Sequence, residues 1–200
     1  MLLAKRTKIQ AMKVKHFIVT YNNAKRLNDS LRSLFDSDSN FGILEVYVIN
    51  NHSNIHVDER FEPRIKIINN QTRPDFSTGH LSRNWNEAII NAFKNLNLPD
   101  CDLLITSQDD TLFEKNYLEK TIDLCKSFDL VSYGTGDQYL AYTPDAVKSI
   151  GLWDERFCNI GYQEADYFLR AVKYHKKVSI NDAGHGRIYN DQAKHSPIVS

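Results

Sequence analysis

The sequence predicts an α/β domain built on a mixed, mostly parallel sheet flanked by helices. Three observations carry this reading. Through the first 110 residues, segments rich in β-branched and aromatic residues alternate with segments whose apolar residues recur at helical spacing. The stretch "DLLITS" (102–107) is almost continuously apolar, as expected of a strand covered on both faces. The strand-like segments also end in clusters of amides, hydroxyls and carboxylates, on the side of such a sheet where ligands bind.

Taken in order, "KHFIVTY" (15–21) reads as the first strand, and "AKRLNDSLRSLF" as a helix with Leu27, Leu31, Leu34 and Phe35 on one face. "LEVYVIN" (44–50) and "RIKIIN" (64–69) are two further strands. "SRNWNEAIINAFKNL" predicts a helix capped by Ser82 and burying Trp85, Ile89, Phe93 and Leu96. "DLLITS" follows as a strand, then a helix with Leu118, Ile122 and Cys125 inward. "DLVSYG" and "QYLAYT" are strands, and "TPDAVKSIG" is a short helix with Thr143 as its cap, Pro144 in the first turn and Gly151 past its end. "QEADYFLRAVKYH" is the last helix, before the strand "KVSIND".

Two hundred residues form one domain, 1–200, with no repeat and no low-complexity tract. Residues 1–13 read as a disordered, solvated lead-in whose basic side chains are the surface a peripheral membrane contact would use. Charge balances at 25 basic against 25 acidic residues, so no bulk signal points to nucleic acid or to an acidic partner. Cys101, Cys125 and Cys158 show no metal-type spacing and are odd in number, which suits a reducing compartment. With no signal-peptide core and no transmembrane run, the expectation is a cytoplasmic protein.

At the strand ends stand Thr20, Tyr21, Asn22 and Asn23; Asn50, Asn51, His52, Ser53 and Asn54; Asn69, Asn70 and Gln71; and Gln108, Asp109 and Asp110. Each cluster alone is ordinary turn chemistry. Together they make a rim able to read a nucleotide base and hold a metal diphosphate. Asp109 and Asp110 repel each other unless something positive lies between them, so "SQDD" either caps the next helix or holds a metal ion.

"FIVTYNNAKRLNDSLRSLF" followed by "LEVYVINNHSN" resembles the opening of the GT-A glycosyltransferases, in particular the large inverting family 2. "WNEAI" is similar to a later Asn-x-Gly element, "ITSQDDTLF" to the Asp-x-Asp region, and "GLWDERFCNIGYQEADYFLR" to the acceptor-side stretch with its downstream acid pair. The likeness covers roughly 15–190, and five degenerate pieces in order are more specific than any one. It implies a single-domain GT-A (nucleotide-diphospho-sugar transferase) fold, with a nucleotide-binding part over about 14–112 and an acceptor-side part over about 113–200. It departs from the family pattern at Gln108, where the first metal Asp is usual, at Gln163 and Glu164, where Glu and Asp are usual, and at Asn50, where Asp is common.

The resemblance implies transfer of a sugar from a nucleotide-sugar donor, a UDP-sugar foremost, to a hydroxyl of a glycan or glycolipid acceptor, with inversion and a divalent cofactor, Mn2+ or Mg2+. Thr20, Tyr21, Asn22, Asn51, Asn86 and Asp109 would bind the donor. Asp110 would be the principal metal ligand; His185 is either a second ligand or an ordinary loop residue. Glu164 would be the general base and Asp166 the second acid of the pair, although acids in a first helical turn also favour the helix dipole. Asp154 falls near the acceptor or belongs to the surface, and Trp153 either stacks on the acceptor sugar or lies in the core. The alternatives are a sugar nucleotidyltransferase and an inactive nucleotide- or glycan-binding module of the same fold. Against the first, no Gly-rich, Lys- or Arg-bearing phosphate loop follows the first strand.

Overall fold

A computed structural model describes residues 12–37, 43–52, 55–70, 80–157, 161–182, 186–187 and 198–199. The chain runs β1 (Lys13–Thr20), α1 (Ala24–Asp36), β2 (Ile43–Asn50), a 3-10 turn into β3 (Ile65–Asn69), α2 (His80–Phe93), β4 (Leu103–Gln108) and β5 (Leu112–Phe113). It continues with α3 (Tyr117–Cys125), β6 (Leu130–Tyr133), β7 (Tyr139–Tyr142), α4 (Pro144–Ile150), α5 (Tyr162–Arg170) ending in a π turn, β8 (Val178–Asp182), β9 (Gly186–Arg187) and β10 (Ile198–Val199). Eight strands form one sheet in the order β3-β2-β1-β4-β7-β6-β8-β9, and β5 pairs with β10 separately. The β1–β4 block is parallel, β7 runs antiparallel between β4 and β6, and β8 returns parallel to β6.

Side-chain alternation splits the core between the two faces. Along β1, Val14 and Ile18 join Leu27, Leu31 and Leu34 of α1 on one face, while Phe17 and Val19 join Trp85, Ile89 and Phe93 of α2 on the other. The last helices, α4 and α5, also cover the α2 face, through Val147, Ile150, Tyr167 and Phe168. Helix α1 is capped by Asn23, whose side chain accepts the Arg26 N–H, and α4 by Thr143, which accepts the Ala146 N–H.

The structure corrects several boundaries. Strand β1 starts at Lys13 because Asp102 clasps it from both sides: the Lys13 N–H donates to the Asp102 carboxylate at 2.7 Å, and the Asp102 N–H donates to the Lys13 carbonyl at 2.9 Å. Helix α2 begins at His80, so Ser82 lies inside it rather than at its cap; its buried hydroxyl donates to Gln163 Oε1 at 2.9 Å. The helix stops at Phe93 because Lys94 takes a left-handed φ of 58°, which leaves Leu96 packed from the loop. The two-residue strands β5, β9 and β10 are too short to show a period in sequence. Cys101 and Cys125 are free thiols, each pushed up to about 12 chiefly by burial, and Cys158 lies outside the described residues.

Trp153 is corrected to a core residue. It is 3% exposed, its ring stacked on Tyr167 at 4.1 Å and edge-on to Phe168 at 6.5 Å, so no face is left for an acceptor sugar. Asn86 holds it there. The Asn86 amide donates to the Trp153 carbonyl at 3.0 Å and to Glu155 at 2.9 Å, while its Oδ1 accepts the Trp153 N–H at 2.8 Å. This imitates a strand pairing between a helix side chain and a buried backbone. Asn86→Ala is therefore expected to cost about 2–4 kcal/mol in urea unfolding, from two orphaned backbone groups. A loss below about 0.5 kcal/mol, the usual range of a surface change, would contradict that role.

Candidate active site

The parallel strands end together. In register, Thr20 faces Asn50 and Asn50 faces Asn69, while Val19 faces Gln108; the antiparallel β7 begins beside the end of β4, with Tyr139 opposite Ser107. Over its described residues the rim predicted from sequence is thus one continuous edge; Ser53, Asn54 and Gln71 lie outside the described residues. Its amides tie the strand ends to one another. Asn50 bonds Asn69 at 2.9 Å and His52 on both sides, and the Asn51 N–H donates to the Thr20 carbonyl at 3.1 Å. Asn70 donates to Asn51 at 3.0 Å and to Glu87 of α2 at 2.9 Å. Tyr21 stands half-buried with its ring edge-on to His52 at 5.6 Å, and Asn22 is exposed in a left-handed conformation at φ 49°. Together they line an aromatic and amide shelf at the mouth of β1 and β2.

Strand alternation decides where the acids at the end of β4 go. Leu104 and Thr106 face the α2 side, and Gln108 continues that row, whereas Ile105 and Ser107 face the α1 side and Asp109 continues theirs. Asp109 accepts the Thr20 hydroxyl at 2.6 Å; burial raises its pKa, with the Asp110 charge adding to the effect and the Thr20 bond opposing it. Asp110 follows in the turn closed by the Thr111 N–H on the Gln108 carbonyl. Its Oδ1 is buried and has no hydrogen-bond partner among the described residues, and a desolvated carboxylate oxygen without a donor is costly. Among the described residues no group of three or more His, Cys, Asp or Glu gathers around it. A cation at Asp110 would therefore be one that accepts few carboxylates and completes its shell with phosphate and water, as Mg2+ does.

On the α2 side of the rim sits a residue that none of the sequence motifs includes. Asp137 lies in the hairpin between β6 and β7, bent by Gly134 and Gly136 at φ 77° and 59°, and is 2% exposed. Its carboxylate accepts Gln108 Nε2 at 2.8 Å, Trp85 Nε1 at 2.7 Å and Gln163 Nε2 at 3.2 Å. Burial pushes its pKa up to about 7, the Glu164 charge pushes in the same direction, and the Trp85 and Gln108 bonds oppose them. The only sequence signal was indirect: a hairpin strand beside β4 must start next to the end of β4.

Glu164, 7% exposed in the first turn of α5, accepts the Gly161 N–H at 2.8 Å. Its other oxygen lies against Gly136, where an added Cβ would come within 3.1 Å. Asp166 points elsewhere. It accepts both Nε and Nη2 of Arg170, at 2.9 and 2.7 Å, and Arg170 Nη1 donates to the Ile150 carbonyl at 2.7 Å, tying α5 to the end of α4. Asp154 is chelated by its neighbour Arg156, which holds its pKa near about 2. The structure thus brings Thr20, Tyr21, Asn22, Asn51, Asp109 and Asp110 to one rim, connects Glu164 to it through the Asp137 cluster, and gives Asn86 and Asp166 to structural bonds. His185 lies outside the described residues.

Comparison with solved structures matches this architecture. A mannosyltransferase from Pyrobaculum calidifontis, in complex with GDP-Man and Mn2+, superposes with a TM-score of 0.60 at 13% identity, over 86% of this chain and 55% of that one. S. aureus TarS in complex with UDP gives 0.61 at 15% identity, over 86% and 58%, and its complex with UDP-GlcNAc gives 0.58 at 14%, over 92% and 61%. The fold is that of the GT-A glycosyltransferases. This chain spans between about half and three fifths of those neighbours. No family model matches the sequence, nor does any curated protein, so the likeness is one of three-dimensional structure. Among the described residues no helix is long and apolar enough to cross a membrane.

The buried Asp137 sets a pH dependence whose sign follows from its raised pKa. Between about pH 4 and 7 the unfolded chain has already lost this proton while the folded chain still holds it, so this group makes the fold less stable as pH rises through that window. Asp137→Asn is expected to remove this falling component, so the variant's stability relative to the parent climbs from pH 4 to 7 in urea titrations. A difference that stays flat across that range would mean that Asp137 is ionised throughout.

Proposed function

We propose that this protein transfers a sugar from a nucleotide-sugar to a hydroxyl of a glycan or glycolipid, with inversion at the sugar carbon and with a divalent metal ion. The observation that carries the reading is Asp110 Oδ1, a buried and unpartnered carboxylate oxygen at the end of the central strand, beside a rim of neutral amides. Such an oxygen suits a cation, and neutral amides suit a base edge without adding negative charge near a diphosphate. The complexes of the structural neighbours with GDP-Man, UDP and UDP-GlcNAc support a nucleotide-sugar ligand.

In this reading the base and ribose lie on the shelf made by Tyr21, Asn22, His52 and Asn51, and the diphosphate lies over the Asp109–Asp110 turn. Asp110 would hold the metal, with Asp109 oriented beside it by Thr20; when bound, the ion would act as a Lewis acid on the diphosphate oxygens. Glu164 takes the proton of the acceptor hydroxyl as its oxygen bonds to the anomeric carbon. The carbon–oxygen bond to the diphosphate breaks, and the electron pair leaves with the diphosphate oxygen. The Gly161 N–H keeps one carboxylate oxygen of Glu164 oriented while the other handles the proton.

Thermal-shift scans of UDP- and GDP-sugars with and without Mn2+ identify the donor, because a ligand bound to the folded state raises the melting point by mass action. With that donor, Asp110→Asn should lose metal-dependent transfer, and Glu164→Gln, which still caps Gly161, should bind donor normally and transfer about 10²-fold more slowly or worse. Asp166→Asn should be the milder variant. Normal transfer by Asp110→Asn would overturn the metal assignment. Release of pyrophosphate from UTP or GTP supplied with a sugar 1-phosphate would make the protein a sugar nucleotidyltransferase, and tight binding without turnover would make it a binding module.

A further inference from the structure

We propose that Asp137 is a positioning residue which aligns the metal-binding turn and the base-bearing helix through the side-chain amides of Gln108 and Gln163. This rests on the assignments of Asp110 and Glu164 above and extends them to how the two are held in register.

Gln108 immediately precedes Asp109 and Asp110, and Gln163 immediately precedes Glu164. The two glutamines come from β4 and α5, yet both donate to the same carboxylate, Gln108 to Oδ1 and Gln163 to Oδ2. Ser82 of α2 engages the second amide further: its hydroxyl donates to Gln163 Oε1, so both ends of that amide are committed. Trp85 adds a third donor to Oδ2. The turn residue before Asp137 is Gly136, which lies close enough to Glu164 that a Cβ there would crowd its oxygen. The hairpin therefore touches the base helix both through a hydrogen bond and through close packing.

Energetics argue against a purely structural purpose. A carboxylate at this depth is expensive to keep charged, and well-packed apolar groups stabilise a core at least as well as a buried charge does. What a buried carboxyl group with three directional donors adds is orientation. Gln163 sits one residue from the proposed base Glu164 and Gln108 two residues from the proposed metal ligand Asp110, which is where an outer-shell partner has leverage on a site.

The bonding pattern predicts a split between the two branches. Gln108→Met removes the amide on the metal side and keeps chain length, so binding of UDP or GDP in the presence of Mn2+, read by calorimetry, should weaken about tenfold or more. Gln163→Met cuts the other branch, so nucleotide affinity should hold while release of nucleoside diphosphate from the matching nucleotide-sugar slows by about the same factor. Asp137→Ala should show both losses in its folded fraction, and Asp137→Asn, which keeps an acceptor for Trp85 and Gln163 but turns an N–H towards Gln108, should resemble Gln108→Met. The inference is overturned if the methionine variants lose melting temperature alone, with affinity and turnover per folded molecule unchanged, or if both shift the two readouts together. Asp110→Asn and Glu164→Gln in the same series separate the failures. If those two matter and the glutamine variants do not, this inference alone falls; if neither matters, the functional reading falls and takes this one with it.

Discussion

A carboxylate cannot be buried alone. Asp137 sits at the junction of the sheet, α2 and α5 with almost no access to water, and the low dielectric there demands donors. Three elements supply them: β4 through Gln108, α2 through Trp85 and α5 through Gln163. Each of those side chains can reach only if its backbone is held within a narrow range, so the need of one buried carboxyl group fixes the relative placement of three pieces of the fold. The amide rim on the other side of β4 is organised differently. There, neutral groups satisfy one another in pairs, Asn50 with Asn69 and Asn51 with Asn70, and Asn70 donates further to Glu87 of α2.

This asymmetry suits the chemistry proposed for the two halves. The shelf beside β1 and β2 has to tolerate different ligand edges, and amides both donate and accept. The region between Asp110 and Glu164 has to keep two acids at a set separation while charge moves between them, and preorganised dipoles do that better than mobile ones. Asp166 and Asp154 illustrate the contrast. Each is paired with an arginine close in sequence, and such partly exposed pairs position local chain rather than a reacting atom.

Much of the fold was legible because its strands are long enough to show a period. "DLLITS" and "HFIVT" read as buried strands, and Leu27, Leu31 and Leu34 announced the inner face of α1. Thr143, Pro144 and Gly151 marked α4 by local backbone rules alone. What could not be read depended on contacts distant in sequence. Ser82 has the residue type of a cap and acts as a partner of Gln163, 81 positions away. Asn86 matches a motif position, and its amide is committed to Trp153. Asp137 follows two glycines in a tight hairpin, where Asp is ordinary turn chemistry, and only the antiparallel pairing of β7 with β4 reveals that it faces Gln108. Trp153 was ambiguous in sequence, and the stack on Tyr167 decides it.

The central claim is that the end of β4 is a metal and diphosphate site. Anomalous scattering from Mn2+ in crystals grown with the nucleoside diphosphate tests it most directly, because it locates the ion without reference to activity. One strong peak bonded to Asp110 and to diphosphate oxygens is expected, with the nucleoside extending towards Tyr21 and Asn51. Ordered nucleotide with no ion at Asp110, or an ion bound elsewhere on the chain, would contradict it.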